Sequence, residues 1–226
     1  MSTLGIIGGM GVQATGRFYE ILTESQNALK EQDYLDVLLY SKPSIPDRTA
    51  FITGQSAESP LEPLLHAARV LENAGVSSIA MPCVTAHYFY KDLTRAVNVP
   101  VLNMLEETAR YAAGCGYSKV GLLATDGTIH GRFFHEALAA HGVETIVPEA
   151  EGQRAIVALI YNLKRGKRVD TWANVEAVAT NLHDRGAQAA VLGCTELSLM
   201  MKTGGTHSID ALEILAHAAL RACGIR

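Results

Sequence analysis

Short aliphatic runs at 4–8, 35–40, 78–81, 99–102, 120–124, 144–147 and 189–192 carry the β-branched and leucine-rich character of buried strands. Between them lie stretches whose apolar residues recur every three or four positions, predicting helices at 15–30, 61–74, 105–114, 133–141, 153–165, 172–184 and 211–223. Strand and helix in alternation give parallel sheets covered by helices. The predicted fold class is α/β.

The pattern is stated twice along the chain. Gly5-Ile6-Ile7 leading to Gly16-Arg17-Phe18-Tyr19-Glu20 is echoed by Gly121-Leu122-Leu123 leading to Gly131-Arg132-Phe133-Phe134-His135-Glu136. Gly75, then Ser78-Ile79-Ala80-Met81-Pro82-Cys83, is echoed by Gly186, then Ala189-Ala190-Val191-Leu192-Gly193-Cys194, with the cysteine eight residues after the glycine each time. A third echo sets Val101-Leu102-Asn103-Met104-Leu105-Glu106 against Ser208-Ile209-Asp210-Ala211-Leu212-Glu213. Preserved order points to duplication: two similar open parallel-sheet domains related by a pseudo-two-fold axis. The first is expected at 1–98, with 207–226 crossing back to it, and the second at 99–206. Ligands of open α/β sheets bind beyond the carboxyl ends of the strands. Cys83 and Cys194 occupy those ends, and the pseudo-symmetry would set them on opposite walls of one interdomain cleft.

The 226 residues are 48% hydrophobic, enough for a sizeable core. A formal net charge of -4 without blocks of like charge gives no electrostatic case for nucleic acid or a membrane surface, so a small molecule is the expected partner. The first residues run straight into a strand without the basic start of a signal peptide, and no stretch is apolar for long enough to span a bilayer. A cytoplasmic protein is expected. Its cysteines, Cys83, Cys115, Cys194 and Cys223, then read as free thiols, and they lack the paired spacing of a zinc site. Cys115 and Cys223, late in helices, read as packing residues.

Each strand-end cysteine precedes a helix start, in Cys83-Val84-Thr85-Ala86-His87 and Cys194-Thr195-Glu196-Leu197. Unpaired N–H groups and the positive end of a helix dipole there would favour thiolate and hold a substrate carboxylate. Two opposed bases suit the removal of an α-hydrogen from one face of an amino acid and the return of a proton to the other. Thr85, Thr195 and main-chain amides are the candidate donors to the enolate-like intermediate.

These stretches resemble the aspartate/glutamate racemase family, and more closely its aspartate racemase branch. The resemblance runs through Gly5-Ile6-Ile7-Gly8-Gly9-Met10-Gly11, Ile45-Pro46-Asp47-Arg48-Thr49, Met81 to His87, Leu102-Asn103-Met104 and Leu192-Gly193-Cys194-Thr195-Glu196-Leu197, covering nearly the whole chain. It implies a two-domain α/β protein without pyridoxal phosphate or metal, commonly a dimer, with Cys83 and Cys194 as the acid/base pair and Arg48 and Lys164 as substrate-contacting cations. Arg48 suits that role because a guanidinium clamps a carboxylate with two parallel bonds; a loop salt bridge is its other reading. Lys164 lies in the basic run 163–168, otherwise a solvated helix end. Met10, Val84 and Ala86 fall within the matching stretches and are read as lining the substrate. His87 either tunes the thiol or orients the turn, and Glu196 is expected to fasten the Cys194 turn through backbone N–H groups.

The family usually carries asparagine where this chain has Val84, and often asparagine near Ser41. Valine offers no side-chain hydrogen bond, so the preferred substrate is open. The expected function is cofactor-independent racemisation of aspartate or glutamate. Alternatives are a racemase of another amino acid, an isomerase or decarboxylase of small dicarboxylates, and a non-catalytic amino-acid sensor. Nucleotide binding through Gly8-Gly9-Met10-Gly11 is weaker, since the full glycine fingerprint is absent.

Overall fold

A computed structural model describes residues 2–167, 172–200 and 208–225. Arg168 of the basic run and the boundary expected at 206/207 lie outside the described residues. The first half runs β1 (Thr3–Gly8), α1 (Val12–Glu24), β2 (Asp36–Ser41), α2 (Arg48–Ile52), α3 (Leu61–Asn73), β3 (Ser78–Ala80), α4 (Tyr90–Ala96) and α5 (Met104–Gly114). The second runs β4 (Lys119–Leu123), α6 (Asp126–Gly131), α7 (Phe133–Ala140), β5 (Glu144–Ile146), α8 (Ala150–Lys164), α9 (Trp172–Asp184), β6 (Ala189–Leu192), β7 (Ser208–Asp210) and α10 (Ala211–Ala222).

All strand pairs are parallel, in the orders β2-β1-β3 and β5-β4-β6-β7. Val101 forms a parallel bridge with Ile79, giving the first sheet a fourth position that corresponds to β7. Central β1, β4 and β6 are buried on both faces, which is why their sequences are continuous aliphatic runs rather than alternating ones. Gly75 and Gly186 have φ of 81° and 96°, the left-handed conformation that ends α3 and α9 and turns the chain into β3 and β6. That requirement explains why a glycine stands at the same place in both echoes.

Pairing does not change at 98/99, because Pro100 and Leu102 are bonded to Ile79 of the first sheet. The C-terminal segment divides: β7 pairs with β6, while α10 packs against α1, α5 and β3. Helix α5 in turn leaves the first sheet to pack on α7. The halves therefore exchange their last helices. A shared inner core joins Leu4, Ile6 and Phe18 to Val120, Leu122 and Val191 through Leu105, Leu212 and Leu215. Separate outer clusters cover the far side of each sheet, one including Cys83 and the other Cys194.

Candidate active site

Cys83 follows β3 and Cys194 follows β6, so each stands at the carboxyl end of a strand, 4% and 7% exposed respectively. Among the described residues neither is directly followed by a long α-helix. Cys83 leads into a 3-10 turn, Thr85–Phe89, and Cys194 into another, Leu197–Leu199. Thr85 Oγ1 lies 3.5 Å from Cys83 Sγ.

His87 is a buried fastener. Main-chain N–H of Met104 can only donate, so Nε2, 3.1 Å away, accepts, and Nδ1–H donates to the Cys83 carbonyl at 2.9 Å. Burial pulls its pKa from 6.5 down to about 4, against the upward pull of main-chain groups of Cys83, Leu102 and Val84. The neutral ring thus ties the Cys83 turn to the start of α5. The other half builds the same tie from different residues. Ser198, four positions after Cys194 as His87 is after Cys83, donates to Asp210 Oδ1 at 2.7 Å, and Asp210 caps α10 through Leu212 and Glu213 N–H. Sequence reasoning missed Ser198 and Asp210; the equal offset from the two cysteines was the available signal.

Two expectations about the second turn are corrected. Glu196 does not fasten the turn by accepting from backbone N–H groups; its Oε2 accepts from Cys194 Sγ at 3.0 Å and from Thr195 Oγ1 at 3.4 Å. The Cys194 thiol is not drawn towards neutrality. Burial and the Glu196 carboxylate push it well above its ordinary range, with Lys164 opposing. The short 3-10 turn supplies little dipole to offset a carboxylate in hydrogen-bond contact.

Lys164, at the end of α8, is where the two halves meet electrostatically. Burial lowers its pKa, but Glu196, Cys194 and Cys83 together raise it above that of an ordinary lysine, with Arg48 opposing. One ammonium therefore feels both thiols. Tyr161, one turn earlier, has its ring centroid 5.2 Å from Lys164 Nζ. Arg48 starts α2, whose N-cap Asp47 accepts from Thr49 and Ala50 N–H. Arg48 as a whole is 7% exposed, and Nη1 donates to the carbonyls of Ile45 and Pro46, at 3.1 and 2.9 Å, while Nε is buried without a partner. This helix is held across the halves: Thr49 Oγ1 meets Thr125 Oγ1 at 3.3 Å, and Gly127 packs directly against Thr49.

Met10 and Ala86 join Cys83 in the outer cluster. Val84 turns instead into the shared inner core, so its side chain is spent on packing, and main-chain groups are what it can offer a ligand. Among the described residues no group of three or more His, Cys, Asp or Glu side chains is placed to hold a metal ion, and no helix is long and apolar enough to cross a membrane.

The Asp/Glu/Hydantoin racemase family model matches residues 7–219. The chain belongs to that family. By class it is an amino-acid racemase. In overall fold it is similar to the aspartate racemase of Picrophilus torridus, with a TM-score of 0.90 and 31% identity over 100% of this chain and 96% of that one. An aspartate racemase homologue from Pyrococcus horikoshii OT3 matches with a TM-score of 0.80 and 28% identity over 99% and 100% of the two chains. The broad specificity amino-acid racemase RacX of Bacillus subtilis (strain 168) is 27% identical over 211 residues, 88% of this chain and 87% of that protein. A glutamate racemase from Francisella tularensis, with a TM-score of 0.71 at 16% identity, shares the fold.

Proposed function

We propose that the protein interconverts the enantiomers of an acidic amino acid, aspartate before glutamate, by proton transfer between Cys83 and Cys194 without a cofactor. The observation that carries this reading is Lys164: a single half-buried ammonium couples to the thiols of both halves and to Glu196. Such a cation suits a substrate that gains negative charge as its α-hydrogen leaves. The first N–H groups of a 3-10 turn lack partners within it, so the turns after Cys83 and Cys194 offer donors to the α-carboxylate. Thr85 and Thr195 add hydroxyls. Arg48 keeps a buried, unpartnered Nε for a second carboxylate, which supports an acidic side chain. The relative named for aspartate supports the same choice.

A second reading, a racemase of neutral amino acids, is favoured by the commitment of Arg48 Nη1 to loop carbonyls and by apolar Val84. Alpha-proton exchange into deuterated water, followed by NMR and chiral analysis for both enantiomers of aspartate, glutamate and several neutral amino acids, decides between them. Exchange with inversion for aspartate supports the first reading, and inversion confined to neutral substrates supports the second. Binding without exchange would favour a sensor, and a different product from a dicarboxylate would favour an isomerase. The proposal extends to a homodimer, for which the open β2 edge with exposed Leu38 and Leu39 speaks, and to a reducing, cytoplasmic setting for the free cysteines.

A further inference from the structure

The two cysteine turns correspond in position but differ in chemistry. Two residues past Cys83 stands Thr85, a hydroxyl that can either donate to sulfur or accept from it. Two residues past Cys194 stands Glu196, whose carboxylate only accepts, and which holds the Cys194 S–H at 3.0 Å. Glu196 is 2% exposed, and its Oε1 is buried without a partner. A Cβ on Gly11 would lie 2.7 Å from that oxygen. Gly11 has φ of -101°, open to any residue, so what its lack of a side chain provides is room for the carboxylate. The titratable groups sharing this surrounding are Lys164 and Tyr161 from α8 and Cys83 and Arg48 from the first half.

We infer that Glu196 is a positioning residue that sets the resting protonation of the pair, holding Cys194 as the thiol and leaving Cys83 as the base, with Gly11 kept small to admit it. The inference rests on the two-base reading above. The upward push on the Cys194 thiol from burial and from Glu196 agrees with it. In the resting enzyme the Cys83 thiolate takes the α-hydrogen as a proton, the C–H bond breaking as S–H forms. Cys194 delivers its own proton to the opposite face of the carbanion. The product leaves behind a Cys83 thiol and a Cys194 thiolate beside a carboxylate. One proton then passes from Cys83 to Cys194 through solvent, driven by that repulsion, and the starting form is restored.

The test is site-resolved alkylation of the native protein by iodoacetamide between pH 6 and 10, with peptides read by mass spectrometry. In the wild type Cys83 should be modified well before Cys194. Glu196→Gln removes the charge and should speed modification of Cys194 about tenfold or more at a given pH, as expected for one pH unit of thiol acidity. Glu196→Asp should restore the wild-type order, and Gly11→Ala, by crowding Oε1, should move Cys194 in the direction of Glu196→Gln. Exposed Cys115 reports the activity of the reagent, and circular dichroism the integrity of each variant. Faster modification of Cys194 than of Cys83 in the wild type, or a Cys194 rate no higher in Glu196→Gln, overturns the inference. Alkylation needs no turnover, so this outcome is separate from failure of the two-base reading, which racemisation by Cys83→Ala or Cys194→Ala would reveal.

Discussion

Lowering the pH should unfasten the Cys83 turn before it affects the rest of the fold. His87 is fully buried as a neutral ring, with Nε2 taken up as an acceptor by Met104 N–H and Nδ1–H donating to the Cys83 carbonyl. Its folded pKa, about 4, lies below the ordinary 6.5. Between those values the unfolded chain binds the proton and the folded one does not. The contribution is therefore complete above pH 6.5, falls as the pH drops through this window, and levels off below about 4. At about 1.36 kcal/mol per pH unit, the gap amounts to about 3 kcal/mol, a large share of the stability of an ordinary domain. Urea unfolding of the wild type and of His87→Gln between pH 7.5 and 4 measures it. Carboxylates that titrate in both proteins cancel in the difference. The stability advantage of the wild type should shrink by about 3 kcal/mol from neutral to acid conditions. A constant difference across the range would refute the neutral, buried ring, and with it the claim that His87 orients the turn.

Gly127→Ala places a Cβ 2.9 Å from the main chain of Thr49, so it should cost about 1–3 kcal/mol in denaturant unfolding and displace α2 together with Arg48. Ser198→Ala removes a donor from buried Asp210, whose pKa burial already raises against the downward pull of Ser198. Because the raised carboxyl loses stability as it ionises, the variant should lose about 1–3 kcal/mol near pH 7 and less near pH 4. Arg48→Ala should raise KM for aspartate and glutamate more than for alanine in a chiral assay; equal changes would remove the side-chain clamp.

The alternation and the repeat were legible because each half must build the same strand, turn and helix, and each construction needs the same residue types at the same intervals. The glycine ending α3 and α9 and the cysteine beyond β3 and β6 recur for that reason. What is not local was hidden. The exchange of α5 and α10 depends on which surface each amphipathic helix meets, and apolar periodicity says that a face is buried without naming its partner. Short α2 and the 3-10 turns fall below the length at which periodicity speaks, and the turn Leu197–Leu199 after Cys194 carries little helix dipole to favour a thiolate. Thr195 and Glu196 were legible as neighbours of a cysteine, but that the carboxylate turns to the sulfur rather than to the main chain is a matter of tertiary crowding around Gly11. Val84 stood out as a departure from the family pattern, and its place in the inner core was not foreseeable from the residue before it.

Deuterium incorporation during the first few per cent of aspartate turnover in deuterated water tests the two-base account most directly. If Cys83 and Cys194 serve opposite faces, newly formed enantiomer should carry solvent deuterium at Cα while recovered starting enantiomer keeps its hydrogen. Equal deuterium in both at early conversion would mean that one base works both faces, and would contradict the assignment of the cysteine pair.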